Sequence, residues 1–465
     1  MAELFPGPVL TALRQSPTRV AIEDSARTVS NAELLAITSR IASGLRQSGL
    51  GRGSTVGIVL PPSPEAYAAQ LAAHSLGCVV APARPGWSQE QRSSALDELD
   101  IMIVEAPGVG SELALDDLLC GSADADLQVE GEPDAIARLT FTSGSTGRPK
   151  ACAQTYRAIS LAYRFDRWPP PLAELLTHFR RCLIPQSLGS PVMSTYLGRC
   201  LVVGGTAVLR GDLDLGTAIE RFQPTVTMMP PARLQSLLAA EADLSSLEAL
   251  LLGGSPASPN LLRTATERLG PIVWQGYGQG EAGVIAMLTP YDIVAGHEAS
   301  VGRPLPAVEV AIRDDEIVVR SPHQMVGYWT DPEQTSDVLT DGWIRTRDLG
   351  YLDVAGYLHL TGRARDVIMV NAEVCYAGAI ERVLAEHPTV AQAYVVGTPD
   401  PSTGEAIHAF VVPLGDAQPD PVALLGLVRH RLSANSVPRT VTVTHDVPMT
   451  AGGKPDKRAL IAAIR

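Results

Sequence analysis

Residues 142–150 read Thr-Ser-Gly-Ser-Thr-Gly-Arg-Pro-Lys and follow a mostly apolar stretch, 136–141, that is typical of a buried strand. Such a loop offers backbone N–H groups, hydroxyls and one ammonium group, which together can surround phosphate oxygens. A P-loop has four residues between its glycines and Ser or Thr after its lysine. This loop is not a P-loop, because only two residues lie between Gly144 and Gly147 and Ala151 follows Lys150. The sequence therefore predicts a phosphate-binding loop of another kind.

The residues before this loop alternate between strand and helix patterns. Ser30 and Glu33 predict a capping box, and the helix that follows has an apolar stripe at spacings of three and four: Leu34, Ile37, Ile41 and Leu45. Short apolar runs at 55–60 and 78–81 flank a second predicted helix at 64–76. Strand, helix and strand in this order predict parallel βαβ units.

After the loop, further short apolar runs predict strands at 201–203, 226–229, 250–252 and 272–274. Several of them are followed closely by glycine or proline. Ligands bind at the carboxyl ends of the strands in open α/β sheets, so these runs predict one shared cleft. The three prolines at 169–171 predict a loop.

The pattern changes beyond residue 300. Short strands predicted at 316–320, 343–345 and 357–360 indicate a small antiparallel module. Past a boundary at 362–366, the chain predicts a compact α+β domain, with helices at 378–386 and 421–432 and strands at 390–396 and 407–412. We therefore expect an α/β protein in which residues 1–363 form a large domain of parallel-rich αβα sheets and residues 364–465 form a small mobile domain.

Composition narrows the class of protein. The chain has 465 residues, 45% of them hydrophobic and 19% charged, as expected for a globular protein of several domains. Its formal net charge of −13 argues against broad electrostatic binding to nucleic acid or anionic membranes. Its six cysteines include no CxxC pair, which argues against a zinc site and a disulfide framework. Without a secretory signal or a spanning apolar run, we expect a cytoplasmic protein.

The loop resembles the phosphate loop of the adenylate-forming superfamily, which includes acyl-CoA synthetases, luciferases and peptide-synthetase adenylation domains. The family usually has Thr-Ser-Gly-Thr/Ser-Thr-Gly-x-Pro-Lys-Gly, and this chain departs from it at Ala151. The resemblance implies ATP and Mg²⁺ as cofactors, with Thr142 as a catalytic and metal-binding residue. It implies that the phosphates are bound by Thr142, Ser143, Gly144, Ser145, Thr146, Gly147 and Lys150.

Two later stretches resemble the nucleotide-binding motifs of the same family. Gly253-Gly254-Ser255-Pro256 is similar to the adenine wall, which implies nucleotide contacts from Gly254, Ser255 and Pro256. Gly276-Tyr277-Gly278 is similar to the segment whose tyrosine stacks on adenine, and Glu281 matches the catalytic glutamate that binds Mg²⁺. Gly280 stands where the family usually has threonine.

Three more motifs follow in the family's order. Asp348 matches the aspartate that accepts hydrogen bonds from the ribose hydroxyls, although Arg347 replaces a glycine beside it. Arg363 matches a ribose or phosphate contact, and Arg365 matches the pivot of the domain hinge. Lys454 matches the catalytic lysine that bridges the substrate carboxylate and the α-phosphate.

Lysine is scarce in this chain. Only three of its 37 basic residues are lysine, namely Lys150, Lys454 and Lys457. The first two occupy family motif positions where a compact ammonium suits the chemistry better than a guanidinium. The resemblance assigns no role to Lys457.

The resemblance implies a ligase that works in two steps. A small carboxylic acid attacks the α-phosphate of ATP to give acyl-AMP and pyrophosphate, and the small domain then rotates so that a thiol, usually CoA, accepts the acyl group. Ala372, Ala377 and Ala379 replace the glycine, proline and glutamate of the family's Gly-x-x-x-x-Pro-x-Glu stretch, and a Cβ at residue 372 would narrow the thiol tunnel. CoA is the first expectation, and an acyl carrier protein or an amine acceptor remains open.

The acyl pocket is expected at 184–195, with Gly253 at a neighbouring strand end. Leu188 aligns with the family's gate residue. Gly189 stands where hydroxybenzoate-activating relatives have asparagine, and Ser194 matches their hydroxyl. These residues favour a small aromatic or medium-length acyl acid.

A function of another class is also open. In this alternative, the chain is a degenerate homologue that binds nucleotide without turnover. Ala151, Gly280 and Arg347, which depart from the family motifs, motivate this alternative. The retained Lys454, Glu281 and Asp348 weigh against it.

Overall fold

The computed structural model describes residues 3–83, 87, 95–96, 99–105, 112–123, 127–143, 149–165, 168–364, 366–450 and 455–464. The described α-helices are α1 (Gly7–Gln15), α2 (Asn31–Gln47), α3 (Pro64–Ser75), α4 (Leu115–Leu119), α5 (Tyr156–Ser160), α6 (Pro170–Thr177), α7 (Pro191–Val202), α8 (Leu215–Phe222), α9 (Pro231–Ala239), α10 (Pro259–Leu269), α11 (Pro290–Val294), α12 (Pro332–Val338), α13 (Ala377–Ala385), α14 (Pro421–Arg431) and α15 (Lys457–Ala462).

The described strands are β1 (Val20–Glu23), β2 (Thr28–Ser30), β3 (Thr55–Val59), β4 (Val79–Pro82), β5 (Ile101–Val104), β6 (Glu112–Ala114), β7 (Ile136–Ser143), β8 (Pro149–Thr155), β9 (Arg181–Ile184), β10 (Thr206–Leu209), β11 (Val226–Met229), β12 (Ala249–Leu252), β13 (Val273–Gln279), β14 (Gly283–Leu288), β15 (Arg303–Pro304), β16 (Glu309–Arg313), β17 (Glu316–Arg320), β18 (Gly327–Tyr328), β19 (Leu339–Thr340), β20 (Trp343–Leu352), β21 (Leu358–Arg363), β22 (Val367–Val370), β23 (Glu373–Tyr376), β24 (Val390–Asp400), β25 (Gly404–Pro413) and β26 (Thr440–Val443).

Two large sheets form the N-terminal part of the molecule. The first has the order β15-β14-β13-β12-β11-β9-β10-β1-β2 and is parallel from β13 to β1. The second has the order β18-β8-β7-β4-β3-β5-β6 and is parallel from β7 to β6. The first sheet becomes antiparallel at β13–β14, and the second becomes antiparallel at β7–β8. The predicted nucleotide motifs lie at these ends of the two sheets.

The largest apolar core joins these sheets through helices α2, α3 and α7. The predicted stripe of α2 lies in it, because Leu34, Ile41 and Leu45 are fully buried and Ile37 is buried as well. The predicted capping box is present: Glu33 N donates to Ser30 Oγ, and Ser30 N donates to Glu33 Oε2. Local pattern and packing agree here, so this helix begins and ends close to the predicted positions.

Two five-stranded sheets complete the fold. The antiparallel module contains β16, β17, β19, β20 and β21, and the small C-terminal domain contains β22 to β26 with a separate core. The prediction of an α/β protein with a large N-terminal and a small C-terminal domain is confirmed. No helix in the described part of the chain is long and apolar enough to cross a membrane.

Helix α10 attaches the small domain to the large one. The Asn260 side chain is buried, and its Nδ2 lies 2.9 Å from the carbonyl oxygens of Ala385 and His387 and 3.0 Å from that of Val390. Ser258, which caps α10, donates to the carbonyl of Ala391. The start of α10 therefore satisfies backbone carbonyls of the small domain, directly after the predicted adenine wall.

Two local predictions are wrong. Residues 201–203 are not a strand, because Leu197 and Leu201 lie on the buried face of α7, which extends to Val202. The strand comes later, as β10, after the turn at Gly204, whose φ is +80°. The prolines at 169–171 do not form only a loop, since Pro170 begins α6, where a missing N–H costs nothing.

Candidate functional site

A buried carboxylate, Asp348, lies where β13, β20 and β21 meet. The Tyr277 hydroxyl donates to Asp348 Oδ2 at 2.7 Å, and Gln279 Nε2 donates to the same oxygen at 2.6 Å. Arg363 Nε donates to Oδ1 at 2.8 Å. Asp348 is only 4% exposed, so these donors hold its orientation. The structure thus brings together three predicted residues, Tyr277, Asp348 and Arg363.

The negative charge of the Asp348 carboxylate affects the ionisation of both Tyr277 and Arg363. Burial and the Asp348 charge raise the pKa of Tyr277, so its hydroxyl stays protonated and remains a donor. Burial works against the charge of Arg363, but Asp348 outweighs it and raises the pKa of Arg363. A carboxylate has about four lone-pair sites. A ribose hydroxyl must therefore use the remaining site or displace one of the present donors.

Gln279 is a site residue that sequence reasoning missed. Its side chain also donates to the carbonyl of Thr346 at 2.9 Å, so it connects β13 to the β20 turn. It occupies the variable position of the Gly-Tyr-Gly-x segment, which is why the motif did not identify it.

A second cluster forms around Tyr328 of β18. Its hydroxyl donates to Glu281 Oε1 at 2.8 Å, and Lys150 Nζ lies 5.1 Å from the centroid of its ring. Burial and the Glu281 charge raise the pKa of Tyr328, which keeps the hydroxyl a donor. Tyr328 therefore links the predicted phosphate lysine to the predicted metal-binding glutamate. Sequence reasoning missed it, because a Gly-Tyr pair in a short strand resembles an ordinary turn.

Gly280 and Thr142 lie against each other where the two large sheets meet. A Cβ at residue 280 would come closer to Thr142 Cγ2 than the 3.0 Å that real Cβ atoms keep, with Cys152 Sγ at 3.6 Å behind it. Thr142 is paired with Lys150 across β7 and β8. Glycine at this position, where the family usually has threonine, thus leaves room for the Thr142 methyl group.

Arg347, which stands where the family usually has glycine, has a backbone conformation that favours glycine. Its φ is +59°, a left-handed conformation that costs a residue with a Cβ about 1–2 kcal/mol. Its N–H donates to Glu316 Oε1 at 2.9 Å. Glu316 is buried and also accepts from Arg345, at 2.6 Å from Nη2. These bonds hold the turn and help to offset its conformational cost.

The predicted adenine wall lies at the end of β12. Gly254 has a φ of +88° with open space where a Cβ would point, and the loop is held where Ala257 N donates to Gln275 Oε1 at 2.9 Å. A Cβ at Gly253 would lie 2.6 Å from Met228 Cε, and one at Gly276 would lie 3.8 Å from Met287 Cε. Both glycines therefore face flexible methionine side chains.

The predicted acyl-pocket residues occupy the β9–α7 connection. Leu188 is buried, and its carbonyl accepts from Ser194 Oγ at 2.7 Å and from Gln70 Nε2 at 3.1 Å. Gly189 N donates to Ser187 Oγ at 3.0 Å. Ile184, at the start of the predicted pocket stretch, also lines a narrow and mostly apolar cavity. The lining of this cavity includes Cys182, Ile184, Met193, Tyr196, Met228 and Leu251.

Some predicted residues fall outside the described part of the chain: Gly144, Ser145, Thr146, Gly147, Arg365, Lys454 and the side chain of Ser143. Within the described part, no group of three or more His, Cys, Asp and Glu side chains is placed to hold a metal ion. A single carboxylate such as Glu281 fits Mg²⁺ that is shared with phosphates, since Mg²⁺ is usually bound by one or two carboxylates plus substrate oxygens.

Two models of known protein families match this chain. Residues 10–329 match the AMP-binding enzyme family, and residues 379–454 match the AMP-binding enzyme C-terminal domain. The chain is 30% identical to feruloyl-CoA synthase from Amycolatopsis sp, over 95% of each chain.

Two solved structures are similar over the whole chain. Amide bond synthetase McbA from Marinactinospora thermotolerans has 33% sequence identity and a TM-score of 0.82, and the match covers 98% of this chain and 99% of that one. The o-succinylbenzoate CoA synthetase from Bacillus subtilis, in complex with its acyl-adenylate intermediate, has 27% identity and a TM-score of 0.81 over 98% of each chain. The same enzyme is also known with ATP and a magnesium ion.

Proposed function

Because this chain belongs to the AMP-binding enzymes, the adenylate-forming superfamily, we propose that it activates a small carboxylic acid with ATP and then transfers the acyl group to CoA. The chain is an AMP-forming ligase. The observation that carries the proposal is the pair of clusters around Asp348 and Tyr328, which bring together side chains from separate nucleotide-binding motifs.

In the first step, a carboxylate oxygen bonds to the α-phosphorus while the bond to pyrophosphate breaks. The protein contributes mainly position and charge. Asp348 binds the ribose, with Tyr277 and Arg363 holding its carboxylate. Lys150 would approach the phosphates, and Glu281 and Thr142 would hold Mg²⁺, which when bound would neutralise phosphate charge. Lys454 brings a second ammonium to the reacting oxygens.

We assign this work to two domains, residues 1–363 and 364–465, with Arg365 at the hinge. The match of a separate C-terminal family domain supports this division. The phosphate loop residues Ser143, Gly144, Ser145, Thr146 and Gly147 bind the phosphates, and Gly254, Ser255, Pro256, Gly276 and Gly278 surround the adenine. Six unpaired cysteines, most of them buried, support the cytoplasm as the compartment.

The second step favours CoA because several similar curated proteins are CoA ligases. One observation favours an amine acceptor that gives an amide. Ala372, which replaces the family's tunnel glycine, lies in an exposed hairpin turn with a φ of +64°. The similarity of this chain to an amide bond synthetase supports the same acceptor. A carrier-protein thiol is a further outcome of the same test.

The acid is a small aromatic or medium-chain one. The small cavity near the predicted acyl pocket is lined by residues that are apolar apart from Thr227, Tyr196 and the Cys182 thiol, and Thr227 Oγ1 donates to the Leu183 carbonyl at 3.0 Å. Burial raises the pKa of Cys182, which keeps it an uncharged thiol. A charged acyl tail would have no counter-charge among these residues.

The test is pyrophosphate release from ATP with a panel of aromatic and medium-chain aliphatic acids, with and without CoA. We expect acid-dependent release, and acyl-CoA when CoA is added. Lys454→Ala should abolish release while the protein stays folded, and near-normal release in that variant would refute the role of Lys454. ATP binding without release on any acid would favour a binding protein. Acyl-AMP that persists with CoA but disappears with an amine would favour the amide product.

A further inference from the structure

Lys457, to which no motif assigns a role, lies between two carboxylates of the small domain. Its Nζ is 3.0 Å from Asp366 Oδ2 and 3.1 Å from Glu381 Oε1. Its side chain is 34% exposed, so the pair of contacts is partly shielded from water. Lys457 begins α15, Glu381 lies on α13, and Asp366 lies next to the hinge.

The Glu381 carboxylate and the Asp366 backbone are held independently of the lysine. Glu381 Oε1 also accepts from Val395 N of β24 at 2.9 Å. The backbone of Asp366 is fixed on both sides, because its N–H donates to the Arg363 carbonyl at 3.1 Å and its carbonyl accepts from Ala377 N at 3.1 Å. The lysine therefore binds to a preformed acidic pair and joins α15 to the hinge.

The backbone directly before Lys457 is held in place as well. Met449 and Pro455 form an isolated antiparallel bridge, and Asp456 N donates to the Pro448 carbonyl at 2.7 Å. Asp456 caps α15 by accepting from Arg458 N at 3.0 Å and Ala459 N at 3.1 Å. In the sequence, Lys454 lies between Met449 and Pro455, three residues before Lys457. Whatever fixes Lys457 fixes the end of the segment that carries Lys454.

The charge of Lys457 reaches the nucleotide cluster through Asp366. Burial works against the ammonium charge, but Glu381 and Asp366 outweigh it and raise the pKa of Lys457, so it stays charged. Asp366 also attracts Arg363, which donates to Asp348. Without Lys457, Asp366 would be a stronger competitor for Arg363.

We propose that Lys457 is a positioning residue for adenylation: it fastens the start of α15, three residues after Lys454 in the sequence, to Asp366, and it neutralises Asp366, so that Arg363 stays on Asp348. The inference rests on the proposed function. A single ammonium contacts both carboxylates at hydrogen-bond distance, whereas a guanidinium is wider and planar. The larger effect is expected in the first half-reaction, because Lys454 is assigned to that step, whereas Asp348 would bind the ribose of ATP and of acyl-AMP alike.

The experiment compares Lys457→Met and Lys457→Arg with a matched control, Arg458→Ala, which removes an exposed cation from the same helical turn. The first half-reaction is measured by pyrophosphate–ATP exchange with the best acid of the panel. The second is measured by consumption of synthetic acyl-AMP from that acid after the acceptor is added. Circular dichroism and Tm report folding.

We expect Lys457→Met to lower kcat for exchange by at least about 10-fold, since a misplacement of about 1 Å can cost about 100-fold. Consumption of acyl-AMP should stay within about 2-fold, Lys457→Arg should recover part of the loss, and Arg458→Ala should match wild type. Unchanged exchange in Lys457→Met overturns the inference, as does an equal loss in both half-reactions. A wild-type protein that exchanges with no acid overturns the proposed function and this inference with it.

Discussion

Replacing Gly280 by alanine tests whether the glycine is a steric requirement of the site. A Cβ there would lie inside the 3.0 Å limit from Thr142 Cγ2, and ordinary contact begins at 3.4 Å, so the Thr142 side chain has to move by more than about 0.4 Å. The glycine has no positive φ, so the added methyl group brings no backbone strain. The effect of the substitution comes from the contact with Thr142.

The magnitude follows from the role proposed for Thr142. A shift or rotation of the Thr142 side chain moves its hydroxyl, and Thr142 is the direct strand partner of Lys150. Misplacement of about 1 Å costs about 100-fold, so a smaller shift should cost about 10-fold or more in kcat/KM, or about 1.4 kcal/mol of transition-state free energy. Overpacking should also lower the free energy of unfolding by about 1–3 kcal/mol.

A double-mutant cycle isolates the contact. Thr142→Ser removes Cγ2, the atom that the new Cβ would meet, and keeps the hydroxyl. We expect pyrophosphate exchange to fall in Gly280→Ala, to stay near wild type in Thr142→Ser, and to return to the serine level in the double variant.

Two results would refute this reasoning. One is a Gly280→Ala enzyme with wild-type exchange, which would mean that the Thr142 hydroxyl is not needed at its present position. The other is a double variant as impaired as Gly280→Ala alone, which would place the defect elsewhere than the methyl contact.

Three further predictions concern other parts of the molecule. Tyr328→Phe removes the hydrogen bond to Glu281 and should lower kcat/KM for exchange by about 10-fold, because hydrogen bonds to charged groups contribute about 1.5–3 kcal/mol. The dependence of exchange on Mg²⁺ concentration should also change, and an unchanged Mg²⁺ titration would contradict the prediction. Ala372→Gly removes the strain of a left-handed alanine and should raise the free energy of unfolding by up to about 1 kcal/mol. It should also increase the yield of acyl-CoA, whereas the control variant Asn371→Gly in the same turn should not. An unchanged yield of acyl-CoA would show that Ala372 does not influence the choice of acceptor. Burial lowers the pKa of His74 from 6.5 to about 3. The free energy of unfolding should therefore fall by about 1.4 kcal/mol per pH unit as the pH drops below about 6.5. Urea unfolding of His74→Met at the same pH values should lack this contribution.

The sign of the His74 effect follows from where the protons bind. Below pH 6.5 the unfolded chain protonates His74, whereas the folded chain keeps it neutral until about pH 3. Its Nδ1 lies 2.7 Å from the Gln70 carbonyl, and its ring is buried, so a charged imidazole would be poorly solvated. An identical pH profile in wild type and variant would contradict this account.

Local sequence was enough to predict elements in which a short-range pattern and burial agree. The capping box of α2, the strands β11 and β17, and the helix α14 have bounds at or near the predicted ones. The errors at 201–203 and 169–171 arose because short apolar or proline runs are compatible with two structures. Packing against the core selected the helix at 201–203, and the position at a helix start decided the prolines.

The sequence by itself determined the family and with it the class of chemistry, because hydroxyls, glycines and lysine within nine residues predict a phosphate-binding loop and the order of the later motifs identifies the family. Only the tertiary structure decided which side chains meet. Tyr277 and Asp348 are 71 residues apart, and Glu281 and Tyr328 are 47 apart. Such contacts depend on strand pairing across separate sheets and on burial, which no local pattern records. The same holds for Lys457, whose two carboxylates come from distant elements of the small domain.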